Sequence, residues 1–114
     1  MATLRCGEQD LPLTFTNEFL AHLQVAVHRR FAHAGGFFVT GTHPVSDGHE
    51  ATVSYWLGPT TPLVFSYDIR NESGERIPPV TLDHEEIEAM LEAMDRPVGV
   101  HLTGEVWLTF RDRV

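Results

Sequence analysis

Two stretches of this chain have apolar residues at helical spacing, and almost everywhere else the apolar residues alternate with polar ones. The first stretch follows Thr16 and ends before Gly35-Gly36, and the second runs from Asp83 to Pro97. Helical spacing directs every third or fourth residue toward a core, whereas alternation is typical of a strand with one buried face. The combination predicts an α+β domain.

The first helical stretch carries its own start and stop signals. Thr16 is suited to cap the helix, because its hydroxyl can accept a hydrogen bond from a backbone N–H of the first turn. Phe15 and Leu20 are spaced as a hydrophobic staple. Gly35-Gly36 is predicted to end the helix at the glycine C′ position. The predicted inward stripe is Phe19, Leu20, Leu23, Ala26, Val27, Arg30 and Phe31.

The second helical stretch has a more complete start signal. Asp83 and Glu86 form a capping box, and Leu82 is spaced to pack against Ile87. Pro97 is expected to end the helix. The residues expected to pack on the sheet are Ile87, Met90, Leu91 and Met94.

The other apolar segments predict strands bounded by glycine, proline and polar residues. Residues 2–6 and 11–15 are expected to form a hairpin, and residues 50–57 are expected to pair with 63–67. Residues 37–42 form a further strand, followed by a loop with an Asp-Gly turn signal. The predicted order is β-β-α-β-β-β-α-β, with an antiparallel-rich sheet of about six strands. We expect a single α+β domain over residues 1–114.

The last segment, 98–110, alternates without a break. A two-residue hairpin at Thr103-Gly104 would turn the apolar residues of its second arm to the wrong face. One long strand bent near Gly104 is therefore favoured, and a true hairpin is the alternative.

Charge narrows the possible functions. Sixteen acidic residues stand against eight arginines and no lysine, for a net charge of −8. Direct contact with nucleic-acid phosphates is not expected, because such affinity comes from neutralising phosphates. An acidic, phage-related inhibitor that mimics a nucleic acid stays an alternative. The absence of lysine excludes Schiff-base, P-loop-lysine and nucleotidyl-lysine chemistry.

The chain shows no targeting or membrane signal. It has neither the apolar core of a signal peptide nor the run of about 18 apolar residues that a membrane span needs. The single cysteine, Cys6, cannot form an internal disulfide, and a buried thiol is favoured over a reactive one. We expect a cytoplasmic protein without a membrane partner.

Several short segments stand in an order shared with one protein family. They are Phe19-Leu-Ala-His-Leu-Gln24, Trp56-Leu-Gly-Pro, Pro62-Leu-Val-Phe65, Ile87-Glu-Ala-Met-Leu91 and Pro97-Val-Gly-Val-His-Leu102. On these segments the chain resembles an uncharacterised family of small actinobacterial proteins, whose members often carry the label "ATP-dependent DNA ligase". Ligases of that class link AMP to a lysine, and this chain has none, so the resemblance implies family membership without ligase activity.

No pattern predicts a catalytic residue, a cofactor or a metal site. His43 and His49 flank Asp47 in one loop, but the spacing is weak for zinc and solvated histidines are favoured. No serine lies in a nucleophile elbow. The carboxylates of the second helix are expected to solvate an exposed face; they are Glu85, Glu86, Glu88 and Glu92.

Histidines on the first helix are interpreted as surface residues. Glu18 with His22, and Arg29 with His33, are one helical turn apart and are expected to form exposed pairs.

The two tryptophans are the best candidates for a binding surface. Trp56 falls in the same strand phase as Thr52 and Ser54, and Trp107 falls in the same phase as His101 and Thr109, so both lie on the more polar face. Either the second helix covers this face and buries them, or the face is open and binds a partner or a second copy. We expect a self-associating binding module, with Trp56, Trp107, His101 and Thr109 as partner-binding residues. The alternative is a small hydrolase-like enzyme with a histidine base.

Overall fold

The computed structural model describes residues 2–11, 15–46 and 48–101 and confirms the α+β class. Its elements are β1 Thr3–Cys6, β2 Gln9–Asp10, α1 Asn17–His33, β3 Phe37–Ser46, β4 His49–Leu57, β5 Leu63–Ser66, α2 His84–Met94 and β6 Val100–His101. The strands do not form one sheet. They form two three-stranded sheets, in the orders β2-β1-β5 and β4-β3-β6.

The first sheet is built around β1, which is antiparallel to both neighbours. Cys6 lies opposite Gln9, so the turn contains only Gly7 and Glu8, and Gly7 has the positive φ of 65° that this tight turn requires. Strand β2 therefore begins before the predicted arm at 11–15, most of which lies outside the described residues.

Strand β5 pairs with β1, and the predicted pairing of β5 with β4 is wrong. The error has a physical origin. Alternation tells which side chains of a strand face a core, but it carries no information on the neighbouring strand. The connection at 58–62 crosses from one sheet to the other.

The second sheet contains a long antiparallel hairpin of β3 and β4. Ser46 lies opposite His49, so most of the predicted loop at 43–49 is strand; Asp47 of the predicted Asp-Gly turn lies outside the described residues. Gly48 of that turn has a φ of 70°. Strand β6 runs parallel to β3, with Val39 opposite Val100. The predicted bend at Gly104 lies outside the described residues.

Both helices pack on the same side of the second sheet. Their buried residues form one core with the inward-facing residues of β3, β4 and β6. The members from these elements are Leu20, Leu23, Ala26, Val27, Phe37, Val39, Leu57, Ile87, Met90, Ala93, Met94 and Val100, and the same core continues into the first sheet and its flanking residues through Ala2, Leu4, Leu11 and Phe15. Phe31 of α1 contacts Phe37 of β3, with ring centroids 6.1 Å apart. The opposite side of the sheet is therefore not covered by either helix.

The start of α1 follows the prediction, whereas its end does not. The Thr16 hydroxyl accepts a hydrogen bond from the Phe19 N–H at 3.0 Å, which confirms the predicted cap. Neither Gly35 nor Gly36 has a positive φ, so the helix does not end on a left-handed glycine. Arg30 instead donates to the carbonyl oxygens of both glycines, at 3.3 and 3.2 Å, which holds the chain as it leaves the helix.

A buried histidine joins the two helices. His22 has no exposed surface, and its Nε2 accepts a hydrogen bond from the backbone N–H of Asp83 at 2.8 Å. The Glu18 carbonyl oxygen, 2.6 Å from Nδ1, can only accept, so Nδ1 carries the proton and the ring is neutral. The predicted Glu18–His22 surface pair is wrong, because helical spacing does not show which side of α1 meets α2.

His22 also replaces half of the predicted capping box of α2. The Asp83 carboxylate accepts from the Glu85 N–H at 3.0 Å, as an N-cap should. The Asp83 N–H, which a capping box assigns to Glu86, is bound by His22, and Glu86 lies 3.6 Å from the same imidazole nitrogen. The helix start is thus stabilised from another helix.

We expect His22→Leu to lower the free energy of unfolding by about 1–3 kcal/mol, because a buried donor and a buried acceptor lose their partner. His28→Leu, at an exposed position of the same helix, is the matched control and should change stability by less than about 0.5 kcal/mol. Urea unfolding of both variants measures the difference. Equal stabilities of the two variants would contradict the role of His22.

Candidate functional site

The uncovered side of the second sheet carries a surface that we call the tryptophan face. It consists of Phe38, Thr40 and Thr42 of β3 with Thr52, Ser54 and Trp56 of β4. Trp56 is 59% exposed although it lies in a regular strand. Its ring meets that of Phe38 edge to face, with centroids 5.0 Å apart. The prediction that Trp56 lies on the polar side of its strand is confirmed, and the alternative that α2 buries it is wrong.

A glycine shapes the position of the indole. A Cβ on Gly36 would lie 2.7 Å from the Trp56 ring and 2.4 Å from the Leu57 carbonyl oxygen, so only glycine fits there. Gly36 therefore serves the packing of a tryptophan and not the end of α1. The ring is held by Phe38 on one side and lies against the backbone of Gly36 on another.

On the same face as Trp56, a short chain of hydrogen bonds links β4 to β3 and β3 to the segment that precedes β6. Thr40 donates to the Val98 carbonyl oxygen at 2.7 Å, and its hydroxyl oxygen lies 2.8 Å from that of Ser54. Because the Thr40 proton is already given to Val98, Ser54 is the donor to Thr40. These bonds stabilise the part of the sheet next to Trp56.

His101 lies on the same side of the sheet as Trp56, because it is opposite Thr40 in the parallel register of β6 and β3. The structure thus brings two of the predicted partner-binding residues to one face. His101 is buried, however, whereas Trp56 is exposed. Burial lowers the pKa of His101, with the nearby Arg96 adding to the effect and a hydrogen bond to the Gly99 backbone opposing it. Trp107 and Thr109 lie outside the described residues.

A large cavity lies away from the tryptophan face. It is a groove of about 710 Å³ between one face of α1 and the segment 67–82, and we call it the proline groove. Its lining residues are Asn17, Ala21, Gln24, Val25, His28, Tyr67, Asp68, Ile69, Arg76, Ile77, Pro78, Pro79, Val80 and Leu82. The volume lies within the range of small-molecule sites.

Two contacts anchor the 67–82 segment to α1. The Tyr67 hydroxyl donates to the Gln24 side-chain oxygen at 2.6 Å. Asn17 bonds the backbone of Asp68 twice, donating to its carbonyl oxygen at 2.8 Å and accepting from its N–H at 3.0 Å. Burial raises the pKa of Tyr67, so the phenol stays protonated and keeps donating at neutral pH. Both walls of the groove are therefore fixed at this end.

Little in the sequence predicts this groove. Its apolar wall comes from a segment that is polar on average, and Leu82 was expected to pack against Ile87. Leu82 is instead 49% exposed and lines the groove. The available signal was Ile-Pro-Pro-Val at 77–80, four consecutive apolar residues with no strand or helix pattern to bury them.

Residues with the chemistry of a catalytic or metal site are dispersed. Among residues 2–11, 15–46 and 48–101, no three histidine, cysteine or acidic side chains converge as metal ligands. His49 is exposed at the turn between β3 and β4, and the side chains of His43 and Asp47 are outside the described set. Arg29 contacts Glu88 of α2 at 3.2 Å, and the predicted Arg29–His33 pair is not formed.

The chain belongs to the family described as "Domain of unknown function (DUF7882)", which matches residues 1–105. Membership in an uncharacterised family, predicted from short segments, is thereby confirmed. No curated protein and no solved structure matches the chain. In the part of the chain that the structure describes, no helix is long and apolar enough to cross a membrane.

The lowered pKa of His101 predicts a loss of stability in acid. In the unfolded chain this histidine titrates near its usual pKa of about 6.5, so the unfolded state binds a proton that the folded state resists. Its contribution to stability is therefore complete above that pKa and is lost as the pH falls through the lower folded-state value. Between about pH 7 and pH 5, wild type should lose more thermal stability than His101→Phe, which cannot titrate. Parallel pH profiles of Tm for the two proteins would contradict this.

Proposed function

We propose that this protein is a non-catalytic binding domain that self-associates through the tryptophan face. The observation that carries the proposal is the exposure of Trp56, 59%, within a regular strand of the second sheet. Tryptophan is enriched at the centres of interfaces, where its large rigid surface becomes buried at little entropic cost. The chemistry of the tryptophan face favours one kind of occupant.

Charge favours a second copy as that occupant. Each chain carries a net charge of −8, so two copies repel each other wherever acidic surfaces meet. The six residues of the tryptophan face are aromatic side chains, threonines and a serine, and none of them is charged. Glu50 lies on the same side of β4, but at the opposite end of the strand from Trp56. Two copies can therefore approach around Trp56 with the nearest carboxylate of β4 at the far end of the strand.

Symmetry adds a second reason. In a two-fold dimer the same patch is used by both copies and must be complementary to itself. The tryptophan face meets that requirement, since an edge-to-face pair of Phe38 and Trp56 presents both a ring face and a ring edge. Strand β4 is also the edge of the second sheet among the described residues, so the face extends to the border of the molecule.

Two other functions, an enzyme with a histidine base and a mimic of nucleic acid, have less support. His22 is the most deeply buried histidine of the described chain, and both of its ring nitrogens are engaged, so it is not available as a general base. The carboxylates of α2 do not form one free acidic face, because Glu88 contacts Arg29 and His84. These contacts weigh against an enzyme with a histidine base and against a mimic of nucleic acid.

We expect Trp56→Ser to shift the protein toward monomer in sedimentation at micromolar concentration while leaving it folded, because the residue is exposed and stabilises little of the core. Val64→Ser is the matched control, since Val64 is an exposed apolar residue, 49% accessible, on the other sheet. A monomeric wild type, or equal dissociation of the two variants, would overturn the proposal.

The dependence of self-association on salt distinguishes this uncharged interface from one held by ion pairs. Association through an uncharged face of an acidic chain should strengthen as ionic strength rises from about 0.05 to 0.5 M, because the repulsion between copies is screened. A dimer held by arginine–carboxylate pairs should weaken over the same range. Sedimentation at both salt concentrations gives the sign.

A further inference from the structure

Arg76 lines the proline groove, and it lies next to a second arginine, Arg70, which borders the groove. Arg70 and Arg76 face each other across a short antiparallel bridge. The backbone bonds on either side run from Asn71 N to Glu75 O and from Ile77 N to Ile69 O, which makes the arginines a non-hydrogen-bonded pair. In such pairs the two side chains project to the same side and lie close together.

This pairing is unfavourable unless an anion is present. Like charges directly opposite each other on a strand pair destabilise it. Two of the eight arginines of an acidic chain are placed together here, and neither forms an ion pair with a described residue, even though Glu72 and Glu75 lie in the same turn. Among the described residues, the Arg70 side chain donates only to the Gly74 carbonyl oxygen, at 3.1 Å. The Arg76 side chain lines the groove and forms no ion pair with any acidic residue of the described ranges.

Other unsatisfied polar groups of the groove are also donors. The Gln24 oxygen is occupied by Tyr67, which leaves its NH₂ group available. His28 is exposed on the same face of α1. Asp68 is the acidic residue of the lining, and its backbone is held by Asn17. Donors thus predominate among the groups that a bound molecule would meet.

The rest of the groove is apolar and open. Ile69 is 68% exposed and Leu82 is 49% exposed, and the Pro78-Pro79 wall lies between them. Exposed apolar side chains gathered around a concave surface mark a binding site more often than a random part of a surface. The ligand must therefore combine an apolar body with an acceptor group for the arginines.

We propose that the proline groove binds a small organic acid, with its apolar body against the Ile77–Pro79 wall and its carboxylate on Arg76, supported by Arg70. A guanidinium matches a carboxylate with two parallel hydrogen bonds, which gives direction as well as affinity. This site is separate from the tryptophan face and does not depend on self-association.

The test uses 4-phenylbutyrate as the apolar carboxylate and 4-phenylbutanol as its uncharged analogue. Calorimetric titration should show saturable binding of the acid, one molecule per chain, and binding of the alcohol weaker by about tenfold or more. Arg76→Gln should weaken binding of the acid by a similar factor, about tenfold, and should leave binding of the alcohol unchanged. If Arg76→Gln loses the preference for the acid over the alcohol, Arg76 contacts the carboxylate.

Three control variants test whether the acid binds in the proline groove. Arg5→Gln removes the same charge from an exposed arginine outside the groove, and it should leave binding unchanged. Ala21→Trp fills the groove from α1 and should abolish binding of both compounds while the chain stays folded by circular dichroism. Trp56→Ser should bind like wild type, so failure of the self-association proposal leaves this one standing.

Several outcomes would overturn the proposal. They are equal affinity for the acid and the alcohol, no effect of Arg76→Gln, loss of binding in Trp56→Ser, and no saturable binding at millimolar concentration. Inorganic phosphate that competes as well as the organic acid would show a simple anion site, and would reject the role assigned to the apolar wall.

Discussion

The buried imidazole of His22 is the contact on which the arrangement of the helices depends. It binds the first free backbone N–H of α2 from the side of α1, and it holds the Glu18 carbonyl oxygen of its own helix with its other nitrogen. A hydrogen bond inside a core is directional and costly to leave unmade, so it specifies one relative position of the two helices where apolar packing alone would accept several. The apolar residues Leu23, Ile87 and Met90 then fill the space around it.

Placing both helices on one side of the second sheet has two consequences at the surface. The opposite side of β3 and β4 carries an aromatic pair and a row of hydroxyl groups, and neither α1 nor α2 covers them. The chain that connects β5 to α2 must also travel along the outside of α1 to reach His22, and this path builds the proline groove. Both candidate surfaces therefore follow from the same packing of helices on the sheet.

The two surfaces differ in chemistry, and the difference assigns them different occupants. The six residues of the tryptophan face are uncharged, which suits a copy of an acidic chain. The proline groove is concave, with an apolar wall and Arg76 in its lining, and Arg70 lies opposite Arg76; no described carboxylate forms an ion pair with either arginine, which suits a small anion with an apolar body. A domain with both surfaces could bind a small acid and associate with itself, and the variants proposed for each surface are independent because Trp56 and Arg76 belong to different elements.

The sequence by itself determined the class of the domain, both helix starts and the side of β4 on which Trp56 lies. Each of these depends on local hydrogen bonds or on the fixed alternation of a strand, so a few neighbouring residues suffice to specify it. Tertiary structure alone decided the division into two sheets and the burial of His22. It also decided the contact of Gly36 with the Trp56 ring and the position of Arg70 and Arg76 beside a groove. These features depend on which elements become neighbours, and side-chain periodicity records only the direction in which a residue points, not what it meets there.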